Sequence, residues 1–209
     1  MKLIIATPSP FARKVRIVLR EKAIQFEEQV DGPWNPNSIV SKINPLGKVP
    51  VLVLDDGEMI YDSSVIIEYL ETLRYEPALI PLDANQRIKV RQIEVLADGI
   101  ADAAVLITLE KHRIEKIQSL DWINRQQTKI DAGIAALSKQ LGRSLLFCDD
   151  ALSIADIATA CTLGYLDLRF PDYDWRSNAR NLANLTTSME KRGSFKVTKP
   201  VVQDIAIVE

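Results

Sequence analysis

Three short stretches of this chain carry residues whose types and spacing could do chemistry. In "ATPSPFARKVRIVLREK", residues 6–22, a serine precedes a proline and an amphipathic run. Proline suits the first position of a helix, because its fixed φ is helical and its missing N–H would be an orphan donor there. Ser9 is therefore the N-cap, a role that stabilises a helix by about 1 kcal/mol. Whether its hydroxyl also does chemistry is left open by this stretch alone. In "NPLGKVPVL", Pro50 enters an apolar strand, where it removes a ladder donor. Either a cis Val49–Pro50 bond turns the Val49 N–H and C=O outward toward an extended ligand, or Pro50 is an edge-strand proline after a loop. In "DSSVIIEYL", residues 62–64 open a helix with apolar face Val65, Ile66, Tyr69, Leu70 and Leu73. Its free N–H groups and the Ser63 hydroxyl suit a carboxylate, and Asp62 beside them suits an ammonium. Together they match the zwitterionic end of an amino acid.

These residues need elements to position them. Up to about residue 75 strands and helices alternate: "KLIIA" as a buried strand, 10–22 as a helix, "QFEEQV" as a strand, "NSIVSKI" as a short helix, "VPVLVLDDGEMIY" as a hairpin turning at Asp56–Gly57, and 63–74 as a helix. The order is βαβαββα. In the first helix Phe11, Val15, Val18 and Leu19 share a face, and Arg13, Lys14, Arg16, Arg20 and Lys22 read as a solvated basic surface. From residue 84 the pattern is helical, over 84–113, 119–141, 154–168 and 177–191. The division is then 1–76 as an α/β domain, 77–83 as a proline-marked linker and 84–209 as an all-helical domain. The apolar tail "KPVVQDIAIVE" has no assigned structure.

The chain has 209 residues, 47% of them hydrophobic, and a formal net charge of -2, which suits a packed core and gives no general attraction to nucleic acid or anionic membrane. No segment approaches the roughly 18 apolar residues that span a bilayer, and the start shows no signal-peptide pattern, so a cytoplasmic location is expected. Cys148 and Cys161 form no CxxC pair and read as core residues. His112, the only histidine, lies in a charged helical stretch and reads as a surface residue. A multi-histidine metal site is thereby excluded, and a histidine-based triad is disfavoured.

The three stretches, in this order and approximate spacing, resemble the cytosolic glutathione S-transferase family, and the likeness is to a bacterial serine-type member. The resemblance runs from end to end. It implies a thioredoxin-like N-terminal domain, an all-helical C-terminal domain, glutathione as co-substrate, no metal and a homodimer. Carried over by residue, Ser9 is the group that holds the glutathione sulfur, and Val49, before the cis-proline Pro50, pairs through its backbone with the cysteinyl part. Asp62 and Ser63 grip the γ-glutamyl end, and Lys48 meets the glycine carboxylate. Many members have glutamate or glutamine where this chain has Asp62, which reaches one methylene less far than glutamate. A serine in place of a cysteine disfavours dehydroascorbate reduction and deglutathionylation, since it forms no mixed disulfide.

A free thiol near pKa 8.5 is only a few per cent ionised at neutral pH, so an enzyme using it must stabilise the thiolate. The expected donor is the Ser9 hydroxyl, helped by the positive end of the helix behind it, and the thiolate then attacks an electrophilic carbon or a peroxide oxygen. The competing function is a binding or scaffold protein of the same fold without turnover, which would have little need of the intact set Ser9, Val49–Pro50 and Asp62–Ser63. In the second half, Ser153 and Asp156 form a variant capping box flanked by Leu152 and Ile157, ahead of a buried central helix, and Asp156 reads as structural. Asp98 and Asp102, four apart on a long helix, either line a site mouth or dimer cleft or simply face water.

Overall fold

The computed structural model describes residues 1–148 and 151–203. Its contacts form two compact units, one of Met1–Leu79 with the described residues from 192 onward, the other of Ile80–Lys191. Together they are a thioredoxin-like domain followed by a helical one.

In the first unit, β1 (Lys2–Ile5), α1 (Pro10–Glu21) and β2 (Glu27–Val30) form a βαβ unit, with β1 and β2 parallel and Lys2 opposite Glu27. A parallel pair needs such a crossover. After the short α2 (Val40–Ile43), β3 (Val51–Val53) and β4 (Met59–Ile60) form the expected hairpin, and the sheet order is β2-β1-β3-β4. Gly57 makes the turn possible at φ 89°, a conformation that side chains resist, and the Leu54 N–H closes on the Glu58 carbonyl at 2.8 Å. α3 (Ser63–Leu73) packs on α1 and β3. Leu3, Ile4 and Ile5 of β1, Val15 and Leu19 of α1, and Leu52, Ile66 and Leu70 are all buried between sheet and helices.

Two expectations are corrected here. The basic side of α1 is not solvated: Arg13, Lys14, Arg16 and Lys22 are all buried, and Phe11 is only half-buried. The reason is that partners cover it. Arg16 makes a two-pronged bond to Glu28 of β2, at 2.8 and 2.9 Å, and Arg20 lies over the Phe26 ring. Lys22 donates to the carbonyls of Arg74, Tyr75 and Pro77 at 2.8–2.9 Å. Likewise the apolar face of α3 is Ile66, Ile67 and Leu70, while Val65 and Leu73 are exposed. Glu71 is drawn inward with that face by its ion pair to Lys22.

The second unit holds α4 (Ala84–His112), α5 (Leu120–Leu141), α6 (Ile154–Arg169) and α7 (Arg180–Met189). α4 packs on α5 and α6, and α6 on α7. α6 is buried around its circumference from Ile154 to Leu163, as a central helix must be. Its capping box is present: the Asp156 carboxylate accepts from the Ser153 N–H and hydroxyl and from the Phe147 N–H, at 2.7–2.9 Å. α7 begins later than expected because Asp174 and Ser177 form a hydrogen-bonded turn where its first residues would lie. Among the described residues, no helix is long and apolar enough to cross a membrane.

The described tail, residues 192–203, packs with the first unit although the sequence reading runs the helical half to residue 209. It contains the short helix α8 (Gly193–Lys196), which no periodicity announced. The last six residues of the sequence, part of the tail left unassigned above, lie outside the described residues.

Candidate active site

Sheet register brings the three motifs to one end of the sheet. Ile4, near the end of β1, pairs with Val51 at the start of β3, and Leu52 pairs with Ile60 at the end of β4. Ser9 follows β1, Val49 and Pro50 precede β3, and Asp62 follows β4, so all emerge on that side. The side chains of Val49 and Tyr61 pack on one cluster of Ile4, Val40 and Val51. The Val49 and Asp62 segments thus share an anchor.

Ser9 caps α1 as the sequence implies. Its N–H closes a turn on the Ala6 carbonyl at 3.0 Å, its carbonyl accepts from the Arg13 N–H at 2.9 Å, and its Oγ accepts from the Ala12 N–H at 3.2 Å. Pro10 occupies the first turn, and no acidic residue there offsets the positive end of the helix. Ser9 is half-buried. A hydroxyl has two lone pairs and one hydrogen. One lone pair serves the cap, and among the described residues the hydrogen has no acceptor.

The Val49–Pro50 bond is cis. Val49 is half-buried, and among the described residues neither its N–H nor its C=O is hydrogen-bonded. Lys48 is exposed, and its carbonyl accepts from the Asn44 side chain at 2.8 Å. Asn44 is the residue that sequence reasoning missed. It is 98% buried, with only 2% of its surface exposed, and its Oδ1 also accepts from the Leu46 N–H at 3.0 Å. One side chain therefore shapes the loop that delivers Val49. The signal was legible in Asn44–Pro45, since asparagine before proline initiates turns.

Asp62 caps α3 with a single oxygen: Oδ1 accepts from the Ser64 N–H at 3.0 Å and from the Ser64 hydroxyl. Oδ2 has no hydrogen-bond partner among the described residues. Burial pushes this carboxyl up, but the Ser64 and Val65 donors and the Lys14 charge outweigh it and hold the pKa below its ordinary value. Asp62 is thus an anion at neutral pH. Ser63 beside it is buried, and neither its N–H nor its hydroxyl is hydrogen-bonded among the described residues. An acceptor for an ammonium and donors for a carboxylate stand side by side.

The other candidates lie in the second unit. Asp102 is exposed and Asp98 half-buried, and His112 is exposed with its Nδ1 2.7 Å from the Thr108 carbonyl. Burial pushes the Asp156 carboxyl up, against the hydrogen bonds it accepts. Cys161 is buried and Cys148 half-buried. Among the described residues no cluster of His, Cys, Asp or Glu could hold a metal ion.

Comparison with known proteins follows the same division. Residues 8–73 match the family model for the glutathione S-transferase N-terminal domain, and residues 121–185 that for the C-terminal domain. The uncharacterized GST-like protein YibF of Escherichia coli K12 is 40% identical over 200 residues, covering 96% of this chain and 98% of that protein. A glutathione S-transferase from Methylobacterium radiotolerans JCM 2831, solved in complex with glutathione sulfonate, superposes with a TM-score of 0.96 at 42% identity, over 100% of this chain and 98% of that one. Another from Methylobacillus flagellatus KT, with GSH bound, gives a TM-score of 0.92 at 43% identity, over 96% and 99% of the two chains.

Proposed function

From the premise that this chain belongs to the glutathione S-transferase family, we propose that it binds glutathione at the sheet end described above and that Ser9 stabilises the glutathione thiolate. The solved relatives that bind glutathione or its sulfonate support the ligand. The observation that carries the role of Ser9 is the division of its hydroxyl: Oγ accepts from the Ala12 N–H at 3.2 Å, leaving the hydrogen for the sulfur.

The peptide is held by complementary groups. The Val49 N–H and C=O pair with the cysteinyl backbone as an added strand would. The Ser63 N–H and hydroxyl take the γ-glutamyl carboxylate, and Asp62 Oδ2 takes its ammonium, while Oδ1 remains on the helix cap. Lys48, exposed beside Val49, meets the glycyl carboxylate as a solvated point charge. Pro50 sets the backbone that presents Val49.

Once the sulfur sits beside Ser9, the hydroxyl donates to the thiolate and the α1 N-terminus adds a favourable field. A thiol pKa lowered by about one to two units corresponds to about 1.4–2.7 kcal/mol and makes the thiolate a major species at neutral pH. The sulfur lone pair then forms a bond to an electrophilic carbon as the leaving group departs with its electron pair, or to a peroxide oxygen as the O–O bond breaks. Ser9 keeps its own proton throughout. A homodimer is part of this reading, and sedimentation of the purified chain at twice the monomer mass tests it.

The experiment for the site is glutathione titration by calorimetry with the bound thiol's ultraviolet absorbance followed across pH. Saturable binding with a lowered thiol pKa is the expected result. Absence of binding would leave Ser9 with its helix cap alone.

A further inference from the structure

The described C-terminal residues touch α1 at several points, and then the loop before it. At the far end, Arg192 donates to both oxygens of Glu21 at 3.0 and 2.7 Å, and the Ser194 hydroxyl donates to the same carboxylate. Nearer the start of α1, the buried Phe195 lies under the Arg13 guanidinium at 5.3 Å and accepts from it through its carbonyl at 3.3 Å. The Thr198 carbonyl accepts from Arg16 at 3.4 Å. The path then reaches the loop before Ser9, where the Thr7 hydroxyl donates to the Val201 carbonyl at 3.1 Å. Beyond it, Gln203 lies so close to Gly32 that a Cβ there would stand 2.6 Å from its amide nitrogen.

We propose that residues 192–203 are a strap that holds the Thr7–Pro8 turn, making Thr7 and the Val201 carbonyl positioning groups for the Ser9 hydroxyl. Ala6, Pro8 and Pro10 are buried, while Thr7 is half-buried and its hydroxyl is the group the strap holds. Among the described residues the turn is closed by the backbone bond from the Ser9 N–H to the Ala6 carbonyl at 3.0 Å, and Thr7 stands between the two. A hydroxyl that must meet a thiolate needs its carrier held to a fraction of an ångström. The strap supplies a second tether from a distant part of the chain, anchored on Glu21, Arg16 and Arg13 of the same helix that Ser9 caps. Gln203 against Gly32 extends the tether to the loop after β2, where the Asp31 N–H continues the β1 pairing on the Ile5 carbonyl at 2.8 Å.

The role of Thr7 rests on the reading of Ser9 given above, so its test has one readout that needs no glutathione. Thr7→Val removes the hydroxyl at similar shape, and Thr7→Ser keeps the donor. Amide hydrogen exchange of Ala12, whose N–H bonds the Ser9 Oγ, reports the cap directly. In Thr7→Val it should accelerate about two- to tenfold, the range one hydrogen bond carries, with Leu19 unchanged and Thr7→Ser restored. With glutathione and an activated aryl chloride as probes, kcat should fall by a similar factor while KM for glutathione stays near its original value. Unchanged Ala12 exchange in Thr7→Val, or faster exchange with unchanged kcat, would overturn the proposal. If the unaltered protein fails to lower the glutathione thiol pKa, the reading of Ser9 falls instead, and the Ala12 exchange alone decides whether the strap holds the turn.

Discussion

Lys22 Nζ lies 2.9 Å from Glu71 Oε1, with 0% and 6% of their side-chain surfaces exposed. The same ammonium holds the carbonyls of Arg74, Tyr75 and Pro77, and Glu71 also accepts from the Leu79 N–H at 3.2 Å. α1, α3 and the segment after α3 are thus joined at one buried charge. Burial raises the Glu71 pKa against the pull of Lys22. Lys22→Met strands Glu71 and three carbonyls, and should cost about 3–5 kcal/mol in urea unfolding. Combining it with Glu71→Leu should recover part of that loss, since the orphaned carboxylate is removed.

Asp156 predicts a loss of stability of a different kind. Its carboxylate accepts from the Phe147 N–H and caps α6 through Ser153. Asp156→Ala leaves buried donors unpaired at about 1–3 kcal/mol each. Thermal unfolding should show the loss, while glutathione affinity of the folded fraction remains near that of the unaltered chain.

The pH dependence has a sign set by Glu21. Burial raises its pKa, but the hydrogen bonds from Arg192 and Ser194 and the charge of Arg192 outweigh it and leave the group below its ordinary value. A depressed carboxyl contributes stability that is present above its unfolded pKa, about 4.3, and lost as pH falls through the lower folded value. Acid unfolding of Glu21→Gln should therefore be less steep in that window than that of the unaltered chain. Equal slopes would mean that the strap does not bear on Glu21 in solution.

One contact between α4 and α5 leaves no room for a side chain. A Cβ at Gly133 of α5 would stand 2.5 Å from Ile100 Cγ1 of α4. Gly133→Ala gains helix propensity but overpacks the contact, and the net effect should be destabilising by about 1–3 kcal/mol in chemical denaturation.

The periodicity of short segments was legible, and so was much of the site. The serine cap before Pro10 and the helix start at residues 62–64 follow from a few adjacent residues, whereas the cis form of Val49–Pro50, left open by its own stretch, came from the family resemblance; the structure shows the cis bond and places all three at one end of the sheet. What was not legible depends on distant partners. Arg13 and Arg16 look solvated in a helical wheel because Phe195 and Thr198, which cover them, lie 182 residues away. The face of α3 shifted for the same reason, since Lys22 decides where Glu71 points. Asn44 shows a nearer miss, a local turn residue whose importance lies in the carbonyl of Lys48 that it holds.

The central claim is that the Ser9 hydroxyl stabilises a bound thiolate, and the most direct measurement is the thiol pKa of glutathione on the unaltered protein and on Ser9→Ala. Losing the cap should cost the fold only about 1 kcal/mol, so the variant remains available for study. The account predicts saturable binding to both, a thiol pKa lowered by about one to two units on the unaltered protein, and a return toward the free value of about 8.5 on the variant. An equally lowered pKa on Ser9→Ala would contradict it.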